Sequence, residues 1–537
     1  MTFTPREPGA VDPLEPAPAA GEPIDAAAAT TGASVLAGGV WKGSSLVLPQ
    51  LYALVQSLVA ARFLGPAGMG VQSFIAFTEI SAVSLVSVGL SISLMRYIGE
   101  MLGRRRSGEV RDLVAWGWRI QLVGALLAGG GLAAAAFAGA DPAPAWLLAA
   151  AAATAGVLHT VPSAVLIGAQ RWRDASIVGL VTGTVATAAL IAVLAAGGGI
   201  TGIFAVEAFV GLVNLAWTGT LARKALRRLA PLPRMPASTL RHDAGRYALL
   251  ASIGAVITFV VWRRSELFFL QHYSQSAQIA FYSIAFSLMT ALVALPQSLT
   301  QVVSPAVATL LGAGADERIR RGYGRAARLL LLLSLPVTAG ALALGPETIR
   351  VLWGSDYASA GTVLLILLAP LPLIPLVNLS RAFLTGIGVI GIPLLIMLAA
   401  GVANIGLDFL LVPRYDAPGA AVANVCAQLA AGLPILAYAR LHLGSIRWEA
   451  TALARAALTS AAAGAAAWGC VRLVHGAAGI ALGLAVGTVA FVALAAVLRI
   501  LPADDAAWLD EAVGSRLGGL LGRTFRLWGQ LPAAGGT

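Results

Sequence analysis

An all-α polytopic membrane protein of about fourteen transmembrane helices is what this chain predicts, on three observations. Its residues are 58% hydrophobic and only 11% charged, against roughly 25% charged in soluble domains. Mean hydropathy is +0.83. Apolar runs long enough to cross a hydrocarbon core of ~30 Å recur along the chain, separated by short loops. The spans fall at 42–63, 70–93, 113–138, 145–168, 175–196, 200–221, 247–270, 279–310, 327–345, 360–385, 391–412, 418–438, 451–472 and 477–498.

Every second loop is basic. Arg96, Arg104, Arg105, Arg106 and Arg111 fall in one, Arg171 and Arg173 in the next, then Arg223, Lys224, Arg227 and Arg228, then Arg318 to Arg328, then Arg440 and Arg447. Loops such as ADPAPA, GGGIT and QHYSQSAQ carry no basic residue. The positive-inside rule makes the basic loops and both termini cytoplasmic. The net charge of +11 is therefore topogenic, and its dispersal over short loops argues against a nucleic-acid partner.

Residues 1–31 are rich in Pro, Ala and acids and lack the basic and apolar regions of a signal peptide, so a disordered cytoplasmic tail is expected. Six spans form a first lobe, 32–221; a charged, Pro-containing connector follows at 222–246; six more form a second lobe, 247–440. Residues 451–498 hold two additional spans, and 499–537 a cytoplasmic tail. In that tail Leu509, Val513, Leu517, Leu521 and Phe525 recur every fourth residue, as in an interfacial amphipathic helix. Repeated bundles facing a midplane cavity are a common construction of secondary transporters.

Several chemistries are disfavoured. Cys426 and Cys470 are lone, and the histidines are scattered without ligand spacing, so neither a disulfide framework nor a metal site is suggested. No P-loop or nucleophile elbow appears. A non-enzymatic protein without a cofactor or catalytic residue is expected.

Polar residues inside the spans are the candidates for function. Lys42 begins the first span, Arg96 ends the second, Arg263 and Arg264 lie late in the seventh, and Arg381 lies late in the tenth. Gln297 and Gln301 stand one turn apart in the eighth. For Lys42, Arg96 and Arg381 the competing reading is topogenic, and the glutamines have interhelical bonding as theirs. Glu79, Glu207 and Asp408 also lie in spans, suited either to carrying a proton or cation or to pairing helices. Arg263 sits about 24 Å from the cytoplasmic end of its helix, the wrong side for a topogenic arginine. Three residues apart, Arg263 and Glu266 share a face and form an expected ion pair.

The segments VAARFLGPAGMGVQSFIAF and GLSISLMRYIGE, with RVLWGSDYASAGTVLLILLAP and NIGLDFLLVPRYDAPGAAVANVCAQ, resemble the oligosaccharide-lipid flippases of the multidrug/oligosaccharidyl-lipid/polysaccharide exporter superfamily. The resemblance covers roughly residues 33–440, and the fourteen spans are similar to the lipid II flippase branch. It implies a polyprenyl-diphosphate-linked oligosaccharide as substrate, flipped across the bacterial cytoplasmic membrane for cell-surface polysaccharide or envelope synthesis. Membrane lipids, and glycosyltransferases or a polymerase of the same pathway, are the implied partners. On that reading Lys42, Arg96, Arg263, Arg264 and Arg381 offer cations to the diphosphate, and Gln297 and Gln301 offer amides to the glycan. Arg264 is the residue expected to bind the diphosphate on its way outward. A cation-coupled multidrug exporter of the same superfamily is the alternative, and a membrane-embedded glycan polymerase a weaker one. The first span carries no acid, which favours the flippase.

Overall fold

The protein is described by a computed structural model over residues 32–103, 106–169, 171–227, 238–262, 265–300, 303, 307, 311, 316–389, 391–444, 450–509 and 527–529. Among these residues the regular elements are all helical. In chain order they are α1 (Gly32–Gly103), α2 (Ser107–Phe137), α3 (Ala143–Gly168), α4 (Trp172–Ala195), α5 (Gly199–Arg227), α6 (Ser238–Trp262), α7 (Glu266–Tyr273), α8 (Ser276–Thr300), α9 (Asp316–Leu352), α10 (Ser359–Leu367), α11 (Ile374–Gly386), α12 (Gly391–Leu443), α13 (Ala450–Leu473), α14 (Gly476–Leu498) and α15 (Ala503–Leu509). Nine helices among the described residues are long and apolar enough to cross a membrane.

The expected spans map onto these helices, with local departures that the sequence explains. α1 holds the first two spans and breaks at Gly65, whose φ of 66° an L side chain resists; Pro66 follows and disfavours a helical residue before it. α12 breaks likewise at Asp416, φ 49°, between Pro413 and Pro418. The expected span 360–385 is two helices rather than one. Pro370, Pro372 and Pro375 lack the N–H groups a continuous helix needs, so α10 ends in a turn where the amide of Leu373 donates to the carbonyl of Pro370 at 2.9 Å. α9 runs 37 residues, about 55 Å at ~1.5 Å per residue, so its arginine-rich start extends beyond a ~30 Å core.

The first-half helices pack through small residues. α3 buries Ala145, Ala149, Ala152, Ala153 and Ala164 against α1, α2 and α5, which lets backbones approach closely without interhelical hydrophobic drive. In the second half, Leu364, Leu367 and Leu368 of α10 and its end join Tyr282 and Ile284 of α8 and Ala420 of α12 in one core. The same cluster reaches Ala60, Met69 and Phe77 of α1, so the two halves meet there.

That meeting is sealed at one end by directional bonds. Arg62 donates from Nη2 to the carbonyl of Val351 at 2.7 Å and from Nε to that of Leu352 at 3.1 Å, satisfying carbonyls at the C-terminus of α9 where a cation is favoured. The Trp353 indole donates to Ser57 at 3.2 Å and the Tyr357 hydroxyl to the carbonyl of Ala61 at 3.0 Å. Phe268 of α7 meets Phe77 edge-on at 5.1 Å. At the opposite, basic end a second seam joins α1 to α6: Ser93 donates to the carbonyl of Ala244 at 2.7 Å, and Gly89 lies against Ala248 and Ser252.

Gly70 packs on the carbonyl of Ser276 so closely that a Cβ there collides with backbone. Gly70→Ala is therefore expected to cost the ~1–3 kcal/mol typical of overpacking. Gly130→Ala, whose Cβ meets nothing within 4 Å, is the neutral control. The check is the fraction of each purified protein that stays monodisperse after heating; equal survival refutes the expectation.

The chain's end returns to the bundle. Asp505 is fully buried, 0% exposed, and accepts from Arg328 Nε at 2.7 Å and Nη2 at 2.8 Å and from Arg325 Nε at 3.2 Å. Ile500, Leu501 and Ala506 pack against Ala456, with Leu329, Leu332 and Trp528 around them. The amphipathic helix expected through 513–525 lies outside the described residues.

Candidate functional site

Immediately beneath the seal lies a cavity of about 650 Å³ between the two halves. α1 contributes Gln56 and Gln72, α5 contributes Glu207, α8 contributes Ser283 and Thr290, α11 contributes Asn378 and Arg381, and α12 contributes Gln428. Asn378 and Arg381 are three residues apart on α11 and so share a helical face. Gln56 is held by a bond from Nε2 to Thr187 at 3.0 Å. The cavity thus offers a guanidinium and several amides able to make charge-assisted bonds to a ligand.

From Gln428 a polar chain leads into the second half. Gln428 Nε2 donates to Asn424 Oδ1 at 2.5 Å. The Glu266 carboxylate accepts from Asn424 Nδ2 at 2.8 Å and from Asn404 Nδ2 at 3.1 Å. Asn404 also reaches Asp408 at 3.3 Å. All are buried, and the Asp408 Oδ1, Asn404 Oδ1 and Gln428 Oε1 atoms have no hydrogen-bond partner among the described residues. Two carboxylates with amide oxygens form an oxygen-donor set of the type hard cations or a proton use. In the first half, the carboxyls of Glu79 and Glu207 lie within hydrogen-bonding reach of each other.

The structure sorts the sequence candidates. Arg381 and Glu207 line the cavity, with Glu79 beside Glu207. Glu266 and Asp408 meet in the buried network. Glu266 opens α7, while Arg263 and Arg264, between the described ends of α6 and α7, lie outside the described residues. The Glu266 carboxylate turns to the asparagines of α12, because a buried carboxylate needs donors and these supply them. Arg96 is elsewhere, its guanidinium 4.7 Å from the ring centre of Tyr247 and 5.5 Å from that of Tyr97 at the α1/α6 seam, a cation–π arrangement. The side chains of Lys42, Arg263, Arg264, Gln297 and Gln301 lie outside the described residues. Sequence reasoning passed over Gln56, Gln72, Asn378, Asn404, Asn424 and Gln428. Their signal was an amide interrupting an apolar run, weaker than a charge but of the same kind.

Two packed halves around a polar intramembrane cavity, closed at one end, define a secondary-transporter architecture. Residues 251–410 match the MatE family model, and the fold is similar to those of several solved transporters. The lipid II flippase MurJ in an inward closed conformation superposes with a TM-score of 0.67 at 12% identity, covering 86% of this chain and 99% of that one. An inward-facing multidrug resistance MATE family transporter of the MOP superfamily gives 0.59 at 16% identity, over 74% and 95% of the respective chains. A MOP superfamily transporter from Pyrococcus furiosus Vc1 (DSM3638) gives 0.55 at 15% identity, over 76% and 95%. No curated protein sequence matches the chain.

Proposed function

We propose that this chain flips a polyprenyl-diphosphate-linked oligosaccharide across the bacterial cytoplasmic membrane by alternating access, serving cell-surface polysaccharide or envelope synthesis, with both termini cytoplasmic. The observation that carries this reading is the cavity lining: Arg381 borders a space whose other polar residues are amides, hydroxyls and the single carboxyl of Glu207, set among apolar side chains. A guanidinium suits phosphate oxygens and amides suit sugar hydroxyls. The lobes 32–221 and 247–440 rock about the cavity, and the contacts of Arg62, Trp353 and Tyr357 at the seal are those broken on opening outward. Residues 451–498 flank α9 and guide the polyprenyl chain. Coupling to an ion falls to Glu266 and Asp408, which connect to the cavity through Gln428, and to the Glu79 and Glu207 pair.

Glu207 at the cavity wall favours a second reading, export of a cationic drug. Proteoliposomes separate the two. Flipping of a fluorescent polyprenyl-diphosphate glycan, read by quencher accessibility, is expected without saturable ethidium transport. Ethidium transport with no movement of the glycolipid would establish the second reading instead.

A further inference from the structure

A second hollow of about 480 Å³ lies between α2, α3 and α5, at the basic end of the first half, and shares no lining residue with the central cavity. Trp118 of α2, Val161 and Pro162 of α3, and Leu215, Gly219 and Arg223 of α5 form its walls. Among the described residues it has no acidic lining residue. Leu212 and Ala216 on the same rim are exposed, and on a spanning helix exposed apolar side chains face lipid. Gly219 keeps the groove deep, since a Cβ there meets nothing within 4 Å. At its end stands the exposed Arg223, with Lys224 and Arg227 in the last turn of the same helix.

We propose that this groove is a binding site for an anionic phospholipid of the leaflet at the basic end, one acyl chain lying along Gly219 and the headgroup phosphate on Arg223. Size and chemistry select that occupant. One turn of a partner helix ~10 Å wide and ~5.4 Å long takes about 420 Å³, so the groove holds scarcely a turn, whereas an extended hydrocarbon chain needs only its narrow apolar length. Apart from Arg223 and the Trp118 indole, the described wall residues are apolar. The cations are confined to one end, as a molecule with an apolar tail and a phosphate head requires, and a cluster of basic residues beside the hydrocarbon favours anionic over zwitterionic headgroups.

The test uses the full chain purified in detergent, with native mass spectrometry of retained dioleoyl phosphatidylglycerol against dioleoyl phosphatidylcholine. The wild-type protein is expected to retain the anionic lipid preferentially. Arg223→Ala is expected to lower that preference roughly fivefold, corresponding to one basic residue near a charged surface. Gly219→Phe fills the groove and is expected to remove the most tightly held lipid whatever its headgroup. Ala216→Phe serves as a second filling variant, read in place of the first if the first does not elute as a single species. The proposal is overturned if both filled variants retain lipid as wild type does, if Arg223→Ala leaves the preference unchanged, or if polyprenyl phosphate, and not phosphatidylglycerol, gives the adduct that filling removes.

Discussion

Alanine at Arg381 is expected to slow glycolipid flipping by about 10- to 100-fold at unchanged protein abundance. The factor follows from the ~1.5–3 kcal/mol of a hydrogen bond to a charged group, converted at 1.4 kcal/mol per tenfold. Arg381 is the one cation among the described cavity-lining residues. No ion-pair acceptor for its guanidinium occurs among the described residues, so alanine leaves no buried carboxylate stranded, which is why folding should survive. Lysine at the same position keeps the charge and loses the planar fork, so it should restore part of the rate. Initial flipping rates at matched protein density in proteoliposomes decide the matter. A wild-type rate in the alanine variant removes Arg381 from the substrate site.

Glu266 separates stability from coupling. Alanine there strands the buried amide donor of Asn424 and leaves Asn404 only its longer bond to Asp408. At ~1–3 kcal/mol for an unsatisfied group, with a cavity added, the loss is a large share of the ~5–15 kcal/mol that holds a domain folded. The variant should therefore accumulate poorly and fail to survive mild heating. Glutamine retains an acceptor and nearly the same shape, so it should fold close to normally while flipping no longer responds to an imposed ion gradient. Heat survival followed by size-exclusion chromatography measures the first effect, and gradient-stimulated flipping measures the second. A glutamine variant that keeps its gradient response takes Glu266 out of the coupling machinery.

The spans were legible because crossing a bilayer imposes a length and a composition that few other structures share. Arg381 and Glu207 were legible as charges where charge is costly. Partnership was not. The spacing of Glu266 suggests a local partner, whereas its carboxylate accepts from residues 138 and 158 positions away. Arg96 could be placed at a helix end but not over Tyr247, 151 residues on by sequence number. The division of the tenth span was within reach, since Pro370, Pro372 and Pro375 announce it. Close approaches such as Gly70 to Ser276 depend on how two halves of the chain dock, which local pattern does not encode.

The grip on Asp505 fixes what the end of the chain can do. A carboxylate with 0% exposure held by two arginines of α9 leaves α15 little freedom to swing by itself. Its motion relative to the first half is then the motion of α9, whose far end carries the seal with Arg62. The terminal segment is in effect a pointer mounted on the moving lever, some ~35–40 Å of helix from the contacts it reports on. A tag attached there would register each stroke of the transport cycle without touching the cavity.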